Sequence, residues 1–121
     1  MPRPILSEDH IHPTVRATVA GWQQGIVREV QAAVAAHPVV VVGMAMNPFP
    51  KKAGRALDAA GIAHHDLQYG SYFNMWRERN ALKLWTGWPT FPMVFVKGTL
   101  VGGAKDVERL IASGELKAML A

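Results

Sequence analysis

Four consecutive valines, Val39-Val40-Val41-Val42, stand between Pro38 and Gly43. β-Branched side chains favour the pleated strand, and an unbroken apolar run has no polar face to turn toward water. Such a strand is buried on both faces, so its neighbours in the chain must supply a covering layer on each side of a sheet. Helical patterns on both sides of the run provide those layers. The fold class is α/β.

Ahead of the run, residues 1–13 carry three prolines and read as an extended lead-in. A helical segment follows over residues 14–37, capped by Thr14. Val15, Val19, Trp22, Ile26, Val30 and Val34 form one apolar stripe. Gly21 and Gly25 weaken its middle and allow a break into two helices. His37 suits the helix end and Pro38 stops it. After the valines, a helix opens near Asn47-Pro48-Phe49-Pro50 and runs to Ala60, where Gly61 ends it. Ile62 to Leu67 form a second strand. A third helix is expected over residues 71–85, with Ser71 as a possible cap and Leu82 and Trp85 turned inward. Residues 93–97 and 99–101 read as two strands joined at Lys97-Gly98 by a tight hairpin. Gly102-Gly103 leads into a last helix near residues 104–112, and residues 115–120 make a closing turn or short helix. The resulting order, α–β–α–β–α–β–β–α, predicts one domain: a four-stranded mixed sheet flanked by helices, its core over residues 39–120.

Composition narrows the chemistry. Of 121 residues, 18% are charged and none is cysteine, so this chain supplies no disulfide, thiolate nucleophile or thiolate metal ligand. The net charge of +4 is dispersed, which favours small anionic ligands as much as nucleic acid, and no nucleic-acid partner is expected. The N-terminus lacks the apolar core of a leader and no apolar run approaches a membrane span. The expectation is a cytoplasmic protein without a membrane partner.

Trp88-Pro89-Thr90-Phe91-Pro92 precedes the third strand, and Val96-Lys97-Gly98 through Leu100-Val101-Gly102-Gly103 forms the hairpin and its exit. In order and spacing these motifs resemble the glutaredoxin family of thioredoxin-fold proteins, nearest to monothiol glutaredoxins. The resemblance covers about residues 39–120. It implies a thioredoxin-like sheet, with the helical segment before residue 39 as an addition. It also implies a cis Pro92 and a glutathione groove. The family's reactive loop, either Cys-Pro-Tyr-Cys or Cys-Gly-Phe-Ser, aligns with Asn47, Pro48, Phe49 and Pro50. Both cysteine positions are lost, so thiol–disulfide exchange and the usual iron–sulfur ligation are not expected. The groove positions implied by the resemblance are Arg79, Phe91, Pro92, Gly103, Lys105 and Asp106. Met44 stands where the family has a basic residue, and Lys105 stands where it has an aspartate, with Asp106 one step on.

The tetrad also reads as plain helix architecture. Asn47 is a good N-cap, and prolines fit a first turn whose N–H groups have no partner inside the helix. Lys51, Lys52, Arg79 and Lys105 could gather at the groove mouth or simply be solvated. His10 and His12 read as solvated near a terminus. His64-His65-Asp66 offers no nucleophile for a triad, and Met44, Met46, Met75 and Met93 read as core filler. Three functions remain open. The preferred one is a redox-inactive binding protein, taking glutathione or a peptide weakly, or a protein partner. The others are a glutathione-dependent enzyme using the ligand's own thiol, and a structural subunit assembling through the N-terminal helix with Trp22 as a contact.

Overall fold

The computed structural model describes residues 2–121. Its elements are α1 (Pro13–Gly21), α2 (Gln24–Ala36), β1 (Val39–Gly43), α3 (Pro48–Ala59), β2 (His65–Gln68), α4 (Trp76–Thr86), β3 (Met93–Val96), β4 (Thr99–Gly102), α5 (Ala104–Ser113) and α6 (Glu115–Leu120). The sheet order is β2-β1-β3-β4. β2 runs parallel to β1, while the β1–β3 and β3–β4 pairs are antiparallel.

The valine run divides its side chains between two cores, as a two-residue period requires. Val40 and Val42 pack with Ile26 and Val30 of α2 and Leu82 of α4. Val39 and Val41 pack with Leu57 of α3, Val107 of α5 and Leu116 of α6. β3 repeats the division, with Met93 and Phe95 on the first side and Val94 and Val96 on the second. Burying one such side chain is worth about 1.5–3 kcal/mol, so the two central strands dominate the fold. Between β3 and β4, both Lys97 (φ 47°) and Gly98 (φ 83°) adopt left-handed conformations. That pairing matches the twist of a two-residue hairpin.

Several expectations need correction. The N-terminal segment does break, at Trp22-Gln23, with Gln23 at φ 48°. The turn rotates one helix relative to the other, so the single stripe is cut. Ile26, Val27 and Val30 are buried, whereas Val15, Val19 and Trp22 stay exposed. His12, not Thr14, caps α1, its Nδ1 accepting from the Thr14 N–H at 3.2 Å. The lead-in contains a short 3-10 turn at Glu8–His10, and the Arg3 guanidinium lies over Gly87 at the end of α4. β2 starts at His65, because Ile62 leaves the strand line to fill the core behind it. Trp85 reaches Phe95, with ring centroids 5.9 Å apart, yet remains partly open to solvent.

The largest correction concerns residues 71–75, which are not helical. α4 begins at Trp76, preceded by a turn in which Met75 adopts φ 56°. Asn74 Oδ1 accepts from the Ser71 N–H at 2.9 Å, and Ser71 Oγ accepts from the Phe73 N–H at 3.2 Å. These local bonds compete with helix formation. No helix among the described residues is long and apolar enough to cross a membrane.

Candidate functional site

The tetrad lies where β1 hands over to α3. Asn47 is the N-cap, and its Oδ1 accepts from the Phe49 N–H at 3.0 Å. Pro48 and Pro50 bring no N–H at all. The helix start therefore has few donors left for an anion, although α3 still points its positive end there. The other half of the Asn47 amide reaches across the site, Nδ2 donating to the Phe91 carbonyl at 3.2 Å. Phe49 is exposed, and Pro50 seats its ring directly on Gly43. A Cβ on Gly43 would stand 2.6 Å from the Pro50 Cβ.

The Phe91–Pro92 peptide is cis, and both residues are buried. An extended ligand at this edge would pair with the Phe91 N–H and C=O. The carbonyl already holds Asn47, while the N–H makes no hydrogen bond among the described residues. The Trp88 Nε1–H is buried without a partner among the described residues. Trp88 also covers the Gly-Gly turn: its ring would lie 3.8 Å from a Cβ on Gly103.

The remaining groove positions are turned inward or away. Arg79 is only 7% exposed. Its Nη1 donates to the Asn74 carbonyl at 2.7 Å and to the Tyr69 carbonyl at 3.0 Å, bracing the turn before α4 from below. Asp106 Oδ2 accepts from the Gly103 N–H at 3.0 Å, closing the first turn of α5. Its Oδ1 accepts from Arg109 at 2.6 Å. Lys105 is exposed, and Met44 is buried in the core formed with α2 and α4. The structure thus brings Asn47, Pro48, Phe49 and Pro50 together with Phe91 and Pro92. It does not gather Lys51, Lys52, Arg79 and Lys105 into one cationic mouth: Arg79 is engaged by the turn, and Lys52 lies 3.7 Å from Glu108 of α5.

Two polar constellations were missed by reading the chain alone. Tyr69 donates its hydroxyl to Glu29 at 2.7 Å, tying the end of β2 to α2. Burial and then the Glu29 charge push the phenol well above its ordinary range. His64 is clamped at both ring nitrogens, Nδ1 lying 2.6 Å from Asp66 and Nε2 2.8 Å from Asp58. Partial burial pulls this imidazole down, but hydrogen bonds to the two carboxylates and their charges outweigh it and raise its pKa. The two-residue spacing of His64 and Asp66 carried a signal for one contact. Asp58 arrives from α3, and no local pattern announces it.

These arrangements can be set beside known proteins. The glutaredoxin family model matches residues 39–101, more than half of the chain. A glutaredoxin-like protein of Dictyostelium discoideum is 41% identical over 98 residues, covering 81% of this chain and 80% of that protein. Monothiol glutaredoxin-4 of Schizosaccharomyces pombe is 40% identical over 62 residues, which span 49% of this chain but only 25% of the larger protein. Among solved structures, oxidized glutaredoxin 2 of Chlamydomonas reinhardtii superposes with a TM-score of 0.68 at 28% identity, covering 81% of this chain and 92% of that one. With the thioredoxin-like sheet and the family match over its core, the chain belongs to the glutaredoxin family.

Proposed function

We propose that this chain is a glutaredoxin-fold protein that acts by binding and not by disulfide exchange. One observation carries the reading. Where the family presents a cysteine at the helix start, this chain has Asn47, whose amide is engaged on both sides, by the Phe49 N–H and by the Phe91 carbonyl. Thiol–disulfide exchange requires a thiolate to attack a disulfide sulfur, and no residue of the chain can provide one. The groove positions carried over by resemblance support only a weak glutathione or peptide site. Arg79 and Asp106 are occupied elsewhere, and the Trp88 Nε1–H is buried, which leaves the Phe91 N–H as the unpaired main-chain donor at this edge.

The unpaired Phe91 N–H is also compatible with a second reading, in which bound glutathione supplies its own thiol for a different reaction. That reading needs tight binding, and neither Arg79, whose guanidinium is held by the turn before α4, nor Met44, buried in the core, offers a cation to the ligand's carboxylates. The uncovered Val15, Val19 and Trp22 on and just after α1 are compatible with assembly through that segment. They lie outside the site and do not explain it.

A glutathione-coupled disulfide reductase assay tests the main reading. Turnover is expected to stay at the no-protein background. Activity well above background would overturn it.

A further inference from the structure

A second concavity lies apart from the Phe91–Pro92 edge. It is a furrow of about 990 Å³ on the other flank of α3, between that helix and β2. Phe91, Pro92, Gly103, Lys105 and Asp106 do not line it, whereas Asn47, Pro48, Phe49 and Pro50 do, so the furrow shares the start of α3 with the candidate site. β2 is the outermost strand on this side of the sheet, so alternate main-chain N–H and C=O groups along it have no strand to pair with. The opposite wall is a face of α3. Lys51, Arg55 and Asp58 recur there at helical spacing, so they share that face.

The wall is held firmly at its lower end. Gly54 is buried in the middle of α3, and the His64 ring lies against the helix there. A Cβ there would stand 3.4 Å from His64 Cε1. Asp58 and Asp66 then fix the imidazole at both nitrogens. At the upper end the charge is open. Lys51 and Arg55 make no ion pair among the described residues, whereas Lys52 is drawn away toward Glu108. Met46 and Phe49 stand exposed at the same end.

Building on the reading that this chain acts by binding, we propose that the furrow between α3 and β2 docks an extended acidic peptide segment of another protein. Its main chain continues the sheet beyond β2, its carboxylates pair with Lys51 and Arg55, and its apolar side chains cover Met46 and Phe49. A second copy is a poor occupant. The chain carries net charge +4, and Glu8-Asp9 is its only adjacent pair of acidic residues. Two unpaired cations are also few for tracking a nucleic-acid backbone.

Selection from a random peptide display library against the whole chain tests the proposal, followed by titration of the enriched peptides. Enriched sequences are expected to combine several acidic residues with β-branched ones and to slow amide exchange along residues 65–68. The double variant Lys51→Glu, Arg55→Glu should bind them at least about tenfold more weakly, while Lys117→Glu on α6 should bind as before. Thermal melts of both variants separate lost contacts from lost folding. The proposal is overturned if nothing is enriched or if the enriched peptides are basic or neutral. It is equally overturned if a folded double variant binds normally, or if protection maps to Phe91 and Gly103. Any of those results with the reductase assay still at background removes this furrow alone. Turnover above background would instead remove the broader reading.

Discussion

Replacing Arg79 with methionine is expected to lower unfolding stability by about 3 kcal/mol. The guanidinium holds two carbonyls, those of Tyr69 and Asn74, at 3.0 and 2.7 Å. Methionine fills much of the volume but leaves both acceptors without their charged donor. The loss should appear in two ways. Urea unfolding shifts to lower concentration, and amide exchange accelerates first over residues 70–76, which the arginine braces. Tyr72, Phe73 and Trp76 on that turn are exposed aromatics held by internal hydrogen bonds, so the variant should also alter their environment. If the variant keeps both the wild-type midpoint and loop protection, the arginine is not the brace described here.

The second large effect is expected at Gly43. An alanine there would bring its Cβ within 2.6 Å of Pro50 Cβ and 2.8 Å of Pro50 Cγ. A proline ring cannot rotate away as a flexible side chain would, so the first turn of α3 must shift. Overpacking of this kind costs about 1–3 kcal/mol. The clash is specific, so the double variant Gly43→Ala, Pro50→Gly should be less destabilised than the two single effects summed. Additive losses in that cycle would show that residues 43 and 50 do not bear on one another. Pro50 is fitted to a glycine beneath it, and the tetrad is built as a helix start around that fit.

The parts of the fold written in short-range pattern were legible before any coordinates. Four valines between proline and glycine specify a strand covered on both faces, and Lys97-Gly98 between two apolar strands specifies the hairpin. The order and spacing of Trp88-Pro89-Thr90-Phe91-Pro92 and Gly102-Gly103 identified the family. The misreadings share a cause: local pattern was overruled by contacts from elsewhere or by competing side chains. Periodicity carried the N-terminal stripe through Gln23, where a left-handed residue ends it. Ser71 has the chemistry of a cap, but with Asn74 it makes a turn instead, and Arg79 secures that turn from the helix that follows.

The site shows the same division. That Asn47 caps α3 follows from its position before Pro48. That it also donates to Phe91, forty-four residues away in sequence, does not. Asp106 was a candidate to receive a ligand's amino group, yet its carboxylate faces the Gly103 N–H and Arg109. Motif spacing identifies the family. Which polar atoms around Asn47, Phe91 and Asp106 are free depends on partners that only the folded chain brings near.

Titrating the native protein with glutathione and following its backbone amides by NMR puts the central claim at greatest risk. With the Phe91 carbonyl held by Asn47, and Arg79 and Asp106 engaged elsewhere, only small shifts near Phe91 and Gly103 are expected, unsaturated at millimolar ligand. Saturation at micromolar glutathione, with large shifts at Phe91, Gly103 and Lys105, would contradict it.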